Sequence, residues 1–206
     1  MKKKELRNNM KKIIFNRFVI LGCCIALLTV ASVTHTFGQS NPTITTQPVL
    51  VIADFSVVPT GGSMLARNAN GVFMTINTAG LTPGTVATAW LAVFNAPARC
   101  ATNPCSPADF GNPAVHASLV YGGGRIIGAD GTAVFGGFRA VGDTMGIFMG
   151  DARGLILPLT AEIHLAVRTH GAASTDPAVL NQQLTTFTGG CPPNTCTNLQ
   201  VSFHQQ

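Results

Sequence analysis

Short apolar runs that end at glycine or proline constrain the fold of this chain more than any other feature. In residues 71–78, 115–121 and 161–169, apolar side chains recur at every second position, which is the pattern of a strand with a buried face. Turn-forming residues follow such runs, as in Pro-Thr-Gly-Gly at 59–62 and Thr-Pro-Gly at 82–84. Short strands separated by such turns predict an all-β fold. The arrangement that we expect is an antiparallel β-sandwich, immunoglobulin-like or related, with a barrel as the alternative.

The predicted strands and one predicted helix can be placed on the sequence. Expected strands cover residues 50–58, 71–78, 85–94, 115–121, 125–129, 132–140, 145–149, 161–169 and 199–203. The dipeptide Asp130-Gly131 is typical of a tight hairpin and predicts that the strands on either side of it pair with each other. A short helix is expected near 177–184, because Asp176 can cap it and Pro177 suits its first turn.

The N-terminal residues have the organisation of a secretion signal. A basic segment precedes sixteen uncharged, mostly apolar residues at 18–33, and small and polar residues follow them. We therefore predict a signal peptide at 1–38 that is cleaved after Gly38, an extended leader at 39–48 and a single β-sandwich domain at 49–206.

Two other interpretations of the N-terminus stay open. The apolar run is shorter than the roughly 20 residues that span a bilayer, but an uncleaved membrane anchor is an alternative. The residues before Cys23 resemble a lipid-attachment signal, which would make the protein a lipoprotein, although the apolar run continues beyond this cysteine. Under the main interpretation the protein is exported to the periplasm or the medium and keeps no membrane span after cleavage.

The charge of the chain is concentrated in the predicted signal. Seven of its 13 Lys and Arg residues and one of its 8 Asp and Glu residues precede residue 39, so the remainder has a net charge of −1 and contains no lysine. A basic surface for phosphate backbones or anionic lipid is therefore not expected, which argues against nucleic acid as a partner. The partner that we expect is an unknown extracellular ligand or surface component.

Four cysteines follow the predicted cleavage site in two Cys-x4-Cys segments. They are Cys100, Cys105, Cys191 and Cys196. An even number of cysteines in an exported chain predicts disulfides. Three pairings are possible, and the proline and asparagine within each segment favour the two local ones. One structural zinc ion held by all four thiolates is the alternative.

The segment 161–170 concentrates ionisable groups on one side of a predicted strand. The candidate binding face comprises four of its side chains and one from the preceding half of the domain: Glu162, His164, Arg168, His170 and His116. On a straight strand, Glu162 and His164 can reach one ligand, but His164 and His170 lie about 20 Å apart and cannot share a metal. This row is interpreted either as a solvated outer face or as a binding site. No metal or cofactor is predicted.

Motifs for catalysis are absent from the sequence. Gly61-Gly62-Ser63 does not complete a Gly-x-Ser-x-Gly elbow, and Gly122-Gly123-Gly124 is not followed by the Lys-Ser/Thr of a phosphate-binding loop. The acidic residues in turn-like contexts are expected to bind backbone there: Asp109, Asp130, Asp143, Asp151 and Asp176. No catalytic residue is assigned.

Residues 62–204 resemble a group of uncharacterised secreted bacterial proteins. Three segments carry this resemblance: 90–97 with Cys100, 161–171, and 186–191. This resemblance implies export and a shared fold, and no activity. Gly-Leu-Thr-Pro-Gly at 80–84 resembles CHRD-type extracellular domains, but Ala-Thr-Ala stands at 87–89 where those domains carry histidines.

The expected function is that of a non-catalytic binding or interaction module at the cell exterior. The first alternative is a hydrolase or metal-dependent enzyme that uses the polar side of strand 161–170. The second is a structural protein of the envelope or matrix. That alternative requires an exposed apolar patch or a free strand edge for self-association.

Overall fold

The computed structural model of the protein describes residues 42–191 and 196–205. Their strands are β1 (Thr43–Val51), β2 (Val57–Asn68), β3 (Gly71–Thr78), β4 (Thr85–Phe94), β5 (Ala117–Ile126), β6 (Ala133–Ala140), β7 (Ile147–Gly150), β8 (Glu162–Ala172) and β9 (Thr197–His204). They are accompanied by one α-helix, α1 (Pro177–Thr185), and by three short 3-10 helices between β4 and β5: Pro97–Arg99, Pro107–Gly111 and Pro113–Val115. The predicted signal peptide, its cleavage site and Cys23 lie outside the described residues. Within the described part of the chain, no helix is long and apolar enough to cross a membrane.

The strands form one antiparallel sheet in the order β6-β3-β2-β1-β9-β8-β4-β5-β7. The all-β class with a single short α-helix is therefore confirmed among the described residues. Hydrogen bonds connect the strands in one continuous sheet, so the sandwich arrangement itself stays a prediction.

The sheet curls until β6 and β3 approach β5. Arg139 of β6 donates a hydrogen bond to the carbonyl oxygen of Tyr121 in β5. A Cβ atom at Gly122 would lie 2.6 Å from Met74 Cε of β3, so glycine gives the room for this approach. The enclosed side holds the main core, which includes Leu65, Met74, Ile76, Leu91, Phe135, Ile163 and Leu165.

The predicted pairing around Asp130-Gly131 is wrong, although the turn itself forms. Asp130 accepts a hydrogen bond from the backbone N–H of Thr132, and Gly131 has a φ of 66°. The following strand, β6, pairs with β3, whereas β5 pairs with β4 and β7. The loop between β5 and β6 is held instead by the β3–β4 connection, because Leu81 donates to the Gly131 carbonyl oxygen at 3.0 Å.

The sheet begins earlier than the sequence predicts. Residues 43–48, expected in an extended leader, belong to β1 and pair with β2. The expected strand 50–58 contains the turn between these two strands, where Phe55 has a φ of 56° and donates to the Val51 carbonyl oxygen. The end of β1 and the start of β2 lie in one largely apolar run. Sequence periodicity alone therefore does not show where one strand ends and the next begins.

The predicted helix is confirmed as α1. The Asp176 side chain caps it by accepting from the N–H of Ala178 at 2.8 Å, and Pro177 is its first residue. The Tyr121 hydroxyl donates to the Leu184 carbonyl oxygen at 2.6 Å, which attaches the end of the helix to β5. Residues 186–191 therefore leave the helix beside the outer side of the sheet.

Candidate binding groove

The polar row of β8 is buried rather than solvated. Glu162, His164, Arg168 and His170 are 4%, 6%, 9% and 0% exposed. The apolar residues between them face the enclosed core, so both sides of β8 are covered. The first Cys segment covers one end of the row and residues 186–191 cover the other, as the contacts below describe. The interpretation as a solvated outer face therefore does not hold.

Glu162 and His164 form a buried pair at one end of the row. Glu162 Oε1 accepts from the backbone N–H of Cys105 at 2.7 Å and lies 2.6 Å from His164 Nε2. Because the carboxylate oxygen accepts, Nε2 carries the proton that it shares with Glu162. Burial lowers the pKa of His164, although the nearby Glu162 carboxylate opposes this shift. A neutral His164 then keeps Nδ1 as a hydrogen-bond acceptor.

An apolar groove of about 570 Å³ lies over the outer side of β9, β8, β4 and β5. His164 is the single histidine among its lining residues, and aromatic and aliphatic side chains provide most of the surface. The lining residues are Ile52, Phe55, Trp90, Ala92, Pro104, Cys105, Ser106, Pro107, Phe110, Leu119, Met149, His164, Ala166, Phe187, Asn198, Val201 and Phe203.

Aromatic side chains hold one wall of the groove. Trp90 and Phe187 meet edge to face with ring centroids 5.0 Å apart, and Phe148 stacks on Phe187 at 4.6 Å. The Trp90 indole N–H donates to Thr88 Oγ1 at 2.8 Å, which fixes its ring. Trp90 is buried, with 2% of its surface exposed. The same ring also borders the groove.

Arg168 anchors the segment that carries Phe187. Its Nε donates to the Phe187 carbonyl oxygen at 2.7 Å, and its Nη1 donates to Asn198 Oδ1 at 2.9 Å. The guanidinium carbon also lies 3.9 Å from the centre of the Phe187 ring. Arg168 therefore positions the groove wall, and burial lowers its pKa.

His170 lies at the far end of the row beside the second cysteine pair. Its Nε2 is 3.0 Å from Thr88 Oγ1, and its Nδ1 is 3.1 Å from the Gly189 carbonyl oxygen. Burial lowers the pKa of His170, and the charge of Arg168 adds to this effect. The predicted row is thus divided along β8. Glu162 and His164 contact each other at one end, whereas Arg168 and His170 lie at the other end and bind different groups.

His116 does not join either pair. It precedes β5 with a φ of 52°, and its Nδ1 lies 2.9 Å from Asp151 Oδ2. Arg153 also binds Asp151, and its hydrogen bonds hold the Asp151 pKa well below its ordinary value. The alternation in 115–121 predicted that His116 lies on a strand. Its left-handed backbone conformation instead directs the side chain towards Asp151 and Arg153, in a separate and partly exposed cluster.

Both local cysteine pairs lie at disulfide distance. The Cα atoms of Cys100 and Cys105 are 5.3 Å apart, and those of Cys191 and Cys196 are 5.6 Å apart. The first pair lies at the Glu162 end of β8 and the second at the His170 end. A single zinc ion bound by all four thiolates does not fit this separation.

Several residues that line the groove could not be predicted from the sequence because they lie in loops. Pro104 lies in the first Cys segment, and Pro107 and Phe110 lie in the loop that follows it, where no period marks an inward side chain. Asp109 is the one local signal in this loop. It is 3% exposed and accepts from the N–H groups of Ala101 and Ser106, so it closes the loop on itself.

A second buried polar cluster lies inside the curled sheet. His204 is fully buried and contacts Ser63 Oγ through Nε2 and Thr45 Oγ1 through Nδ1, both at 2.8 Å. Arg67 donates to three backbone carbonyl oxygens beside it: those of Pro158, Ala161 and His204. Both ring nitrogens of His204 have partners, so this cluster connects β1, β2 and β9.

No protein-family model matches the chain, and neither a curated protein nor a solved structure matches it. The groove and the buried polar side chains around it are therefore the features that bear on function.

Proposed function

We propose that this chain is an exported, non-catalytic binding protein whose groove takes a small apolar molecule. The observation that carries the proposal is the groove of about 570 Å³ lined by aromatic and aliphatic side chains. Small-molecule sites typically measure about 300–1,000 Å³ and combine apolar walls with a few polar groups. The Cys pairs at disulfide distance support the exported location.

The lining of the groove favours an uncharged ligand with one hydrogen-bond donor. Apart from His164, no lining residue has a side chain that titrates near neutral pH, and a ligand charge would lose its hydration there without a counterion. His164 Nδ1 has no partner among the described residues and can accept a hydrogen bond. A hydroxyl group at one end of an apolar ring system meets both requirements.

Menthol and p-menthane provide a direct test, because they differ by a single hydroxyl group. Trp90 is the only tryptophan and borders the groove, so its fluorescence reports occupancy. We expect saturable binding of both compounds, with menthol about tenfold tighter because of one hydrogen bond. In His164→Phe the two affinities are expected to become equal.

A variant in which a larger side chain fills the groove shows whether menthol binds at this site. Ala166→Phe places a ring inside the groove and is expected to weaken menthol binding at least tenfold. Ala129→Phe makes the same change at an exposed turn residue and is expected to leave affinity unchanged. Equal menthol affinity in these two variants, or fluorescence that never saturates, would contradict the proposed site.

A hydrolase is the second candidate, because His164 and Glu162 form a histidine–carboxylate pair. In such pairs the carboxylate orients the imidazole, which then removes a proton from water or a nucleophile. Hydrolysis of p-nitrophenyl acetate provides the test. Turnover that His164→Gln abolishes and His116→Gln preserves would establish catalysis and overturn the non-catalytic proposal.

A further inference from the structure

The side chains of His170, Cys191 and Cys196 converge at the end of the groove wall. His170 Nδ1 lies 3.5 Å from Cys191 Sγ and 3.2 Å from Cys196 Sγ. One ligand atom from each of the three residues lies within 4.8 Å of the others. His170 is fully buried and both cysteines are partly buried. The cluster therefore combines one imidazole and two sulfur atoms in a sheltered position.

The spacing of this cluster suits a metal ion. Zn–N bonds near 2.05 Å and Zn–S bonds near 2.3 Å at tetrahedral angles place nitrogen and sulfur about 3.5 Å apart. The two nitrogen–sulfur distances at His170 are close to this value. Imidazole and thiolate are also the ligands that thiophilic d10 ions prefer.

The cluster is supported by buried hydrogen bonds around it. Thr88 Oγ1 lies 3.0 Å from His170 Nε2, which orients the ring and directs Nδ1 towards the sulfur atoms. Ligating histidines commonly have such a partner on their second nitrogen. Gln183, which is 1% exposed, donates to the carbonyl oxygens of Ala172 and Gly190. This amide ties β8 to the residue immediately before Cys191.

We propose that His170, Cys191 and Cys196 form a redox-gated site for a thiophilic d10 ion, Zn²⁺ or Cu⁺. In the oxidised protein the two sulfur atoms form a disulfide, and the site does not bind metal. A dithiol reductant transfers two electrons and two protons to this bond, giving two Cys thiols and its own disulfide. The ring proton of His170, which Nδ1 shares with the Gly189 carbonyl oxygen in the oxidised form, moves to Nε2 and is donated to Thr88 Oγ1. The metal then binds His170 Nδ1 and both sulfurs, and the two thiol protons leave to solvent.

Metal titration of the exported protein under both redox conditions tests the proposal. Protein reduced with dithiothreitol and freed of it without oxygen would be titrated with Zn²⁺ alone and, separately, with Cu⁺ alone. We expect one ion per chain with at least one of the two, and no ion in the untreated, oxidised protein. The ion with the higher affinity for the reduced protein is the one that the site selects.

Variants of the three proposed ligands, compared with a variant of the other cysteine pair, show which residues bind the metal. His170→Asn and the double variant Cys191→Ser/Cys196→Ser are each expected to lower metal affinity at least 100-fold. Cys100→Ser/Cys105→Ser removes the other pair and is expected to preserve binding. Circular dichroism checks folding, and the double serine variant keeps the test valid if the buried His170→Asn does not fold.

Three outcomes would overturn the proposal. The first is reduced protein that binds neither ion. The second is metal affinity that is unchanged in Cys191→Ser/Cys196→Ser. The third is oxidised protein that binds metal as tightly as the reduced form.

Discussion

Buried polar residues define this protein at the scale of single side chains. The histidine of each cluster lies among different partners: His164 with a carboxylate, His170 with sulfur atoms, and His204 with two hydroxyl groups. Burial lowers the pKa of all three. The neutral form of each ring is therefore the one that the folded protein favours.

His204 is expected to make the protein less stable in mild acid. Burial, together with the charges of Arg67 and His164, lowers its pKa from 6.5 to about 4. Between these two pKa values the unfolded chain binds a proton that the folded chain does not. The free energy of unfolding therefore decreases as the pH is lowered through this range, and the loss is complete below the folded-state pKa. The expected loss attributable to His204 is about 3 kcal/mol, and urea unfolding from pH 7 to 4 measures it.

The variant His204→Asn isolates this contribution. It is expected to flatten the decline between pH 6.5 and about 4. Parallel pH profiles for wild type and His204→Asn would assign the acid sensitivity to other groups.

At the scale of elements, the first Cys segment forms a wall of the groove. The Cys100–Cys105 pair closes a loop whose far end, Cys105, donates its N–H to Glu162. Phe110 then packs against Phe94 with ring centroids 5.4 Å apart. This loop has no strand pairing to hold it on the sheet. Its position depends on the cross-link, Asp109 and the hydrogen bond to Glu162.

Removing this cross-link is expected to loosen the groove without unfolding the sheet. In Cys100→Ser/Cys105→Ser, the chain entropy of a six-residue loop corresponds to a loss of about 2 kcal/mol in the free energy of unfolding. Menthol affinity is expected to fall as well, because the Cys105 N–H and Phe110 lose their fixed positions. Guanidinium unfolding and Trp90 fluorescence measure the two effects.

An unchanged unfolding midpoint would mean that this loop is held by its other contacts. Cys191→Ser/Cys196→Ser is the matched comparison, since it opens a loop of the same length at the other end of β8. It is expected to leave the Glu162 contact intact.

At the scale of the whole molecule, the curl of the sheet determines both the core and the groove. Its enclosed side brings β3 against β5, and its outer side presents the strands that form the groove floor. Gly122 lies where β5 meets β3. A Cβ at that position would meet Met74 Cε at 2.6 Å and the Ala89 carbonyl oxygen at 3.0 Å.

Gly122→Val is therefore expected to destabilise the entire fold. Overpacking of this kind costs about 1–3 kcal/mol, and here it separates two strands that are distant in sequence. Gly62→Val is the control, because no atom lies within 4 Å of a Cβ at residue 62. Thermal unfolding measures both variants. Equal melting temperatures would show that the approach of β3 to β5 tolerates a larger side chain.

Much of the local structure could be predicted from residue order. Alternation and turn residues indicated most strands, and Asp176 and Pro177 marked the start of α1. The proline and asparagine within each Cys segment indicated the local cysteine pairs. The aspartates in turns also accept the expected backbone hydrogen bonds. These features are predictable because each depends on atoms only a few residues apart.

The remainder depended on contacts between distant residues. Alternation along β8 correctly separated its two sides, but it could not show that loops cover the polar side and create the groove. Nor could the Asp130-Gly131 turn reveal that β6 pairs with β3. The sequence by itself determined the all-β class and the turns, since backbone preference and burial period act locally. Only the tertiary structure decided strand order and the positions of His164 and His170, because those depend on which surfaces meet when the sheet curls.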